Sequence, residues 1–255
     1  MYNTTEITSA TIASDNPIHQ QLLFPYVAAA QTVTGKVLEL GCGWGRGVEL
    51  LANASEYYTG IDKNRKLMTM LNTRYTNAKF IAATLPAIHY LADNTYDYIV
   101  SFQVIEHIEN DALFLQEAYR VLKPGGRIFI TTINKEFSLT RNPWHIREYS
   151  ADSLHSVMAK HFSIIEANGV SGNDKVMHYR EKNKAMVKKI TQFDVFNFQY
   201  CLPRCWLQLP YEMMNRMCRN ALLKVTNTAA HIHHSDFHLT TNPDTSLDLF
   251  YVGTK

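Results

Sequence analysis

A glycine-rich segment near the start of the chain has the composition of a ligand-binding turn. Residues 39–47 read ELGCGWGRG, with glycine at every second position from 41 onward. Without a side chain, glycine lets the backbone turn sharply and approach a ligand closely. The dinucleotide fingerprint G-x-G-x-x-G would need glycine at position 46, where the chain has Arg46. The segment therefore predicts a binding loop that differs in detail from a pyrophosphate-binding turn.

A carboxylate follows this loop at a spacing typical of a sugar-binding acid. Asp62 comes 62 − 39 = 23 residues after Glu39, at the end of the second predicted strand. A carboxylate in that place can accept hydrogen bonds from both hydroxyls of a ribose. Loop and acid together predict a ligand that contains a nucleoside. In the alternative interpretation, the glycines form only a tight turn and Asp62 caps the next helix.

Two histidines are candidate proton acceptors, because imidazole changes its charge near neutral pH. His107 follows the fourth predicted strand in the pair Glu106-His107, and His145 lies in NPWHIREY, residues 142–149, after the fifth. In the alternative interpretation, the first pair only orders a loop, and the second segment is a connection packed by Trp144. We predict both histidines as candidate catalytic bases.

Two further polar clusters allow both a functional and a structural interpretation. Arg147 could pair with an acidic group of a substrate, or it could form a solvated pair with Glu148. Four histidines near the end of the chain invite a zinc interpretation: His231, His233, His234 and His238. No cysteine and no H-E-x-x-H motif accompany them, so a polar surface segment is predicted.

Strands and helices alternate through the middle of the chain. Short apolar runs predict strands at 37–40, 57–61, 79–82, 96–102, 127–132, 162–167 and 247–253. Helical spacing of apolar residues predicts helices at 48–52, 65–75 and 111–122. This alternation implies a mostly parallel sheet with helices on both faces. Ligands bind such sheets beyond the carboxyl ends of the strands, where the glycine loop, Asp62 and the histidines lie.

In residues 171–245 the alternation of strands and helices ends, and helical periodicity predicts a helical insertion before the last strand. Helical periodicity covers 181–193 and 206–225, and the second segment carries a recurring apolar stripe: Trp206, Leu209, Pro210, Met213, Met217 and Ala221. Packing against the sheet is the primary interpretation of this stripe. A wall of a ligand pocket, a dimer face and a contact with a membrane surface are the alternatives. We predict one domain over residues 1–255, with 171–245 as a substrate cap or packing element.

A short helix is predicted at the N-terminus. Asp15 or Asn16 is a credible N-cap, with Pro17 at the first helical position. The helix is expected to cover an edge of the sheet, and a lid over the ligand is the alternative.

Composition excludes several classes of protein. The 255 residues are 46% hydrophobic and 19% charged, which is typical of a globular chain rather than a disordered one. The net charge of +2 is too small to make nucleic acid the expected partner. Four cysteines without a C-x-x-C pair indicate reduced thiols. No signal peptide and no transmembrane segment are predicted, so a cytoplasmic location is expected.

Three segments together resemble a known family: VLELGCGWGRG at 37–47, GID at 60–62 and FQVIEHIENDALFLQEAYRVLKPGG at 102–126. They resemble class I S-adenosylmethionine-dependent methyltransferases, and look most like the broad group that includes the ubiquinone-biosynthesis O-methyltransferases. The resemblance covers about residues 33–135, and continues loosely to 170 and at the last strand. It implies an α/β, Rossmann-like fold whose seven-stranded, mostly parallel sheet ends in an antiparallel strand, here 247–253.

The resemblance also implies a set of residues around S-adenosyl-L-methionine. The methionine end would contact Glu39, Gly41, Gly43, Gly45 and Gln103. Asp62 would bind the ribose, and Lys63 would lie beside the adenine. Relatives often carry an aspartate after the third strand that binds the adenine amino group. This chain has AATL at 82–85 instead, so Thr84 or the backbone must substitute.

A metal is not predicted. Some relatives hold a divalent cation with a Glu-x-x-Glu-His sequence at the end of the fourth strand. This chain has QVIEH at 103–107, in which a neutral amide replaces one carboxylate. That exchange weakens a site for a hard cation.

The implied function is methyl transfer from S-adenosylmethionine to a small or lipophilic acceptor, at an oxygen atom in the primary interpretation. A hydroxyl acceptor needs a general base, which His107 or His145 would supply. The alternatives are methylation of RNA or protein, and a non-catalytic S-adenosylmethionine-binding protein that acts through partners. A nicotinamide oxidoreductase is disfavoured by Arg46.

Overall fold

The computed structural model describes residues 8, 11–192, 198–225 and 227–255. Eight strands form one sheet in these ranges: β1 Lys36–Leu40, β2 Tyr57–Asp62, β3 Ala78–Ala82, β4 Tyr96–Phe102, β5 Leu122–Ile133, β6 Ile164–Gly172, β7 Phe237–Thr240 and β8 Asp248–Thr254. The helices are α1 Asn16–Ala30, α2 Val48–Ala54, α3 Arg65–Arg74, α4 Asp111–Val121, α5 Ala151–Met158, α6 Asp174–Thr191, α7 Phe198–Cys201 and α8 Arg204–Val225.

The sheet has the order β3-β2-β1-β4-β5-β8-β6-β7. Strands β1 to β5 pair in parallel, and β8 runs antiparallel between β5 and β6. The predicted α/β architecture with an antiparallel last strand is therefore confirmed. The predicted number of seven strands is one too few. The additional strand β7 lies inside the segment expected to be helical and pairs only with β6 at the edge of the sheet.

Alternation along the strands divides the core between the two faces of the sheet. In β1, Val37 belongs to one buried cluster, and Leu38 and Leu40 belong to the other. Both clusters are covered by helices, which is the condition for a buried parallel sheet. The helix predicted at 111–122 is confirmed as α4, and it buries one apolar face, since Phe114 and Ala118 are 1% and 0% exposed.

Element boundaries in the second half differ from the predicted ones. The sixth strand begins at Ile164 and continues to Gly172, so it starts and ends later than the predicted 162–167. Helix α6 begins seven residues earlier than predicted, 181 − 174 = 7, because Asn173 caps it by accepting the N–H groups of Lys175 and Val176. The predicted end of this helix, Phe193, lies outside the described residues.

The predicted packing of the α8 stripe against the sheet is wrong. Trp206 and Leu209 are 69% and 70% exposed. The opposite side of α8 faces the protein and buries Cys218 and Leu222. Helical periodicity predicts that α8 has an apolar face, but it does not determine which face is buried. In α8 the buried face is not the one that carries the largest apolar side chains. None of the described helices is both long and apolar enough to cross a bilayer.

A buried ion pair joins α8 to the start of α1. Asp15 was expected as a helix cap, but its side chain makes no cap hydrogen bond. Its carboxylate is fully buried, and Oδ1 accepts from Arg216 at 2.8 Å and from Arg219 at 3.0 Å. A buried carboxylate needs such partners because burial without them costs several kcal/mol.

A second buried carboxylate joins α1 to the sheet. Glu39 in β1 is 1% exposed and accepts the hydroxyl hydrogen of Tyr26 in α1 at 2.8 Å. Its other oxygen accepts the hydroxyl of Tyr58 in β2. Burial raises the pKa of Glu39 from its usual 4.5 to about 7, against the opposing effect of the two hydroxyls. The group therefore links three elements directly below the turn that follows β1.

Substitution of Asp15 tests the ion pair between α1 and α8. Asp15→Asn leaves two arginines facing a neutral group, so the free energy of unfolding should fall by about 3 kcal/mol in urea denaturation. The control is Asp93→Asn, which removes an ion pair with Arg120 at a carboxylate that is 65% exposed. The control should cost less than about 1 kcal/mol. If both variants lost the same free energy of unfolding, the ion pair of Asp15 with Arg216 and Arg219 would not be a buried one.

Stability at different pH values tests the buried Glu39. The unfolded chain ionises this carboxyl near pH 4.5 and the folded chain near pH 7, so its contribution is complete below pH 4.5 and is lost as pH rises to 7. The free energy of unfolding should fall over this window by up to about 3 kcal/mol, at 1.36 kcal/mol per pKa unit. Glu39→Gln should flatten the slope in urea denaturation at pH 5, 6, 7 and 8. If Glu39→Gln and the unaltered chain had the same slope of unfolding free energy against pH, the pKa of Glu39 would not be raised in the folded chain.

Candidate active site

The glycine loop joins β1 to α2 at the carboxyl edge of the sheet. Gly41, Gly43 and Gly45 have φ angles of 86°, 49° and 78°, a region that side-chain-bearing residues rarely adopt. A Cβ on Gly41 would lie 2.4 Å from the side chain of Val104, whereas one on Gly43 would meet nothing within 4 Å. Close packing therefore requires the first glycine, and the middle of the loop is open to a ligand.

Backbone N–H groups of this loop already have partners within the protein. Gly41 donates to the carbonyl of Ile61 at 2.8 Å, and Gly43 donates to Oδ2 of Asp62 at 3.1 Å. These donors are therefore not available to bind a phosphate, in agreement with Arg46 in place of the third fingerprint glycine. Carbonyl oxygens, which suit an ammonium group, are the remaining backbone groups of these two residues.

Asp62 lies next to this loop because Leu40 and Ile61 are paired in the parallel register. Its Oδ1 accepts the N–H of Asn64 at 2.8 Å, and the side chain is only half-buried. The helix-cap interpretation of Asp62 is wrong, since Asn64 caps α3 by accepting from Leu67. An ionised carboxylate has about four acceptor positions, so two remain for ribose hydroxyls. Lys63 follows it and is exposed.

The segment after β3 continues the same edge. Ala83 donates its N–H to the carbonyl of Asp62 at 3.0 Å, which fixes the distance between the two strand ends. Thr84 is exposed, and its hydroxyl makes no hydrogen bond within the described ranges. The role of Thr84 beside an adenine stays a prediction.

Glu39 does not face the open side of the loop. Both of its carboxylate oxygens accept tyrosine hydroxyls below the loop, and almost none of its surface is exposed. The predicted contact between Glu39 and the methionine end is therefore not supported. The residue instead supports the loop from beneath.

Gln103 follows β4 with an unusual backbone conformation. Its φ is 57°, and its N–H donates to the carbonyl of Thr131 at 2.9 Å. The side-chain nitrogen is buried and makes no hydrogen bond of standard geometry, but the amide lies close enough to the buried Asp248 carboxylate to oppose the rise in pKa that burial causes there. The amide thus faces an acceptor inside the protein, and its contact with a ligand stays a prediction.

Glu106 and His107 form a short 3₁₀ turn after Gln103. Glu106 is fully buried, and its carboxylate accepts the hydroxyl of Thr132 at 3.0 Å. Its carbonyl accepts the N–H of Ile146 at 2.8 Å, which ties the turn to the loop after β5. Burial raises the pKa of the Glu106 carboxyl, and the nearby imidazoles oppose that rise. His107 is exposed, and its Nδ1 lies 3.0 Å from the carbonyl of Trp144.

His145 is brought to His107 by this loop, with ring centres 5.0 Å apart. Its Nδ1 lies 2.9 Å from Glu148, and its Nε2 lies 2.8 Å from Nδ2 of Asn142. The Asn142 oxygen accepts the N–H of Trp144 at 3.0 Å, which fixes the orientation of the amide. His145 therefore carries its proton on Nδ1 and accepts the Asn142 N–H at Nε2.

Three side chains in this region come close enough to share a metal ion. Glu106, His107 and His145 each place one ligand atom within 4.8 Å of the others, and no other such cluster exists in the described part of the chain. Both ring nitrogens of His145 already have protein partners, so a metal would have to displace Asn142. The donor set fits a metal poorly. The zinc interpretation of the histidines at 231–238 gains no support from the described residues.

Arg147 is not available for an acidic substrate. Its guanidinium lies 2.7 Å from Asp111 and donates to the carbonyls of Ile108 and Glu109 at 3.1 and 2.6 Å. The alternative pair with Glu148 is also wrong, because that carboxylate binds His145. Arg147 holds the loop after β5 against the start of α4.

The roles of four residues in the site were not predicted from the sequence: Tyr26, Tyr58, Asn142 and Glu148. For two of them a local signal exists. Asn142-Pro143 is a turn-forming pair, and Glu148 stands three residues after His145, within reach of its ring. The tyrosines lie 13 and 19 residues from Glu39, and nothing in the local pattern connects them with it.

Comparison with known proteins connects this site with a family. Residues 38–130 match the model of a methyltransferase domain. A probable S-adenosylmethionine-dependent methyltransferase of Mycolicibacterium smegmatis is 34% identical over 61% of this chain and 62% of its own length. A ubiquinone biosynthesis O-methyltransferase of Vibrio cholerae is 31% identical over 47% of this chain and 52% of its own length. The chain thus spans less than two thirds of these relatives.

Solved structures agree on the fold. A methyltransferase of Thermotoga maritima, described as a possible histamine N-methyltransferase, superposes with a TM-score of 0.58 over 93% of this chain and 91% of its own, at 14% identity. The matched residues 38–130 contain β2 to β4 and most of β1 and β5, and thus the glycine loop, Asp62 and Gln103. Residues 38–130 therefore resemble a methyltransferase domain, and relatives that match this part of the chain are named S-adenosylmethionine-dependent methyltransferases.

Proposed function

We propose that this chain transfers the methyl group of S-adenosyl-L-methionine to an oxygen of a small or lipophilic acceptor. The observation that carries the proposal is the 3.1 Å contact between the Gly43 N–H and the Asp62 carboxylate at the carboxyl edge of the sheet. It holds an open stretch of backbone beside a partly exposed acid, which is an arrangement that can bind both ends of this cofactor. When bound, the cofactor supplies an activated methyl carbon on a sulfonium.

Different residues would hold the two ends of the cofactor. Asp62 binds the ribose hydroxyls, Lys63 and Thr84 lie beside the adenine, and carbonyl groups of Gly41, Gly43 and Gly45 accept from the ammonium. We expect Gln103, which follows β4 at the same edge and lies near the buried Asp248, to line the site beside the methionine moiety.

His107 is the better candidate for the general base. Because a carbonyl can only accept, the contact with Trp144 assigns the ring proton of His107 to Nδ1. Nε2 then has a lone pair, and nothing in the described part of the chain hydrogen-bonds to it. The corresponding lone pair of His145 is occupied by Asn142. His145 is therefore a positioning residue that orders the loop around His107.

The acceptor would bind beside the loop that follows β5. A cleft of about 420 Å³ lies there, lined by residues 138–142 and 145–148 together with Lys135, Tyr200 and Arg204. His145 is part of this lining, and His107 lies behind it, in ring contact with His145. This volume is within the range of small-molecule sites. Arg204 donates to the carbonyl of His145 at 3.2 Å, and Arg141 donates to that of Tyr200 at 3.3 Å. These contacts support the proposal that the insertion 171–245 serves as a substrate cap.

The thiols support a cytoplasmic location as part of this proposal. The four cysteines are present as thiols, and Cys201 and Cys205 are exposed. Exposed thiols are typical of a reducing compartment.

Substitution of Asp62 tests cofactor binding. Asp62→Ala removes the acceptor of two ribose hydrogen bonds, so the Kd for S-adenosylhomocysteine should rise by about a hundredfold or more in isothermal titration calorimetry. Asp97→Ala is the matched control, because this acid lies at the start of β4, at the other end of the strands. Its carboxylate accepts the backbone N–H of Lys36 and the side-chain ammonium of Lys123. It should leave the Kd unchanged. Equal affinity of Asp62→Ala and the unaltered chain would refute the ribose assignment, and tight binding of NADH would refute the cofactor class.

Substitution of the histidines tests the base. Transfer of tritium from methyl-labelled cofactor is measured with a mixture of phenols and a lipid extract, and the labelled product is identified. His107→Ala should lower kcat about 10²–10⁴-fold and regain activity with added imidazole, as expected when a proton acceptor has been removed. His145→Ala should lower kcat by a smaller factor, and added imidazole should not restore its activity. If imidazole restored the activity of His145→Ala but not of His107→Ala, His145 would be the base and His107 the positioning residue.

A further inference from the structure

The outer side of α8 carries an apolar stripe that the protein does not cover. We define the α8 outer stripe as Trp206, Leu209, Met213 and Met217, whose exposed fractions are 69%, 70%, 59% and 64%. Their spacing of three, four and four residues places them on one face of the helix. Proteins rarely leave so many large apolar side chains together in water without a binding partner.

This exposure is fixed by the opposite face of α8. Cys218 and Leu222 pack into the protein, and the buried Asp15 holds Arg216 and Arg219. Rotation of the helix to bury the stripe would break this ion pair and expose the apolar contacts. The stripe is therefore a permanent surface of the fold.

Positive charge flanks the stripe at both ends of its helix. Arg204 and Lys224 are exposed at the two ends of α8, and the neighbouring α6 carries the exposed Lys184 and Lys188 as well as the exposed Glu181. The one acidic residue of α8 is Glu212, which is half-buried and accepts the indole N–H of Trp144 at 3.1 Å. A partner for this surface must therefore be apolar in the centre and negative around it.

A second copy of this chain does not meet that requirement. In a twofold arrangement with antiparallel helices, Arg204 of one copy would approach Lys224 of the other. With parallel helices, each of these residues would approach its own counterpart. Either arrangement places like charges at both ends of the contact, which disfavours self-association.

We propose that the α8 outer stripe lies on the surface of an anionic lipid bilayer. An amphipathic helix with tryptophan and aliphatic residues on one face and cations beside them is typical of interfacial binding, in which the apolar face enters the boundary of the acyl chains. At 1.5 Å per residue the 22 residues of α8 extend over roughly 33 Å in the plane of the membrane. The lysines and arginines contact the anionic headgroups.

The test is sedimentation of the full chain with vesicles. Phosphatidylcholine vesicles are compared with vesicles in which about a quarter of the lipid is phosphatidylglycerol. The unaltered chain should bind the anionic vesicles, and added salt should weaken the binding because the headgroup attraction is screened. The double variant L209E/M213E should lower the partition constant at least about tenfold, since it replaces two apolar contacts with negative charges.

The matched control is Ile164→Glu. Ile164 is 60% exposed in β6, outside α8, so this variant adds a charge at an equally exposed apolar residue. It should bind vesicles as the unaltered chain does. Titration with S-adenosylhomocysteine reports whether each variant is folded, independently of vesicle binding.

Two results would overturn the proposal. One is failure of the folded, unaltered chain to bind anionic vesicles. The other is a concentration-dependent oligomer, seen by analytical ultracentrifugation, that L209E/M213E converts to a monomer. The second result would assign the stripe to self-association instead. Neither result bears on the methyl-transfer proposal, because cofactor affinity is measured without lipid.

Discussion

The parallel register of β1 with β2 and β4 is the constraint from which the candidate site follows. It pairs Leu40 with Ile61, so that the chain leaves both strands at the same level and Gly43 meets Asp62. It also pairs Glu39 with Val100, which brings the end of β4 and therefore Gln103 to the same edge. Shifting either strand by one residue would reverse its buried side chains, so core packing and site geometry are fixed together.

The sequence was sufficient for the features that depend on local patterns. Apolar runs located the strands of the parallel half, and the glycine spacing and the position of Asp62 located the cofactor edge. It was insufficient where a contact joins distant segments. Tyr26 and Tyr58 occupy the carboxylate of Glu39, which changes a predicted ligand contact into a support below the loop. The short β7 was missed because it has four residues and a single edge partner, β6.

Periodicity has a limit that α8 illustrates. A hydrophobic stripe indicates that one face of a helix avoids water, but it does not say whether protein or another medium covers that face. In α8 the protein-facing side includes Arg216 and Arg219, which a sequence pattern would place in solvent. They lie inward because Asp15, more than 200 residues away in the chain, is buried between them. A buried charge can therefore reverse the orientation that hydrophobicity alone predicts.

Hydrogen bonding separates the two candidate bases more clearly than their positions do. Both histidines follow strands of the parallel sheet, and their rings are in contact. The difference lies in the acceptor atom, because Asn142 donates to His145 whereas the Nε2 of His107 has no such donor in the described ranges. Since Asn142 is held in turn by the backbone of Trp144, the hydrogen bond at Nε2 of His145 is built into the loop. The same loop contacts α8 through Glu212, so a bilayer that receives the α8 outer stripe would lie at a fixed position relative to His107.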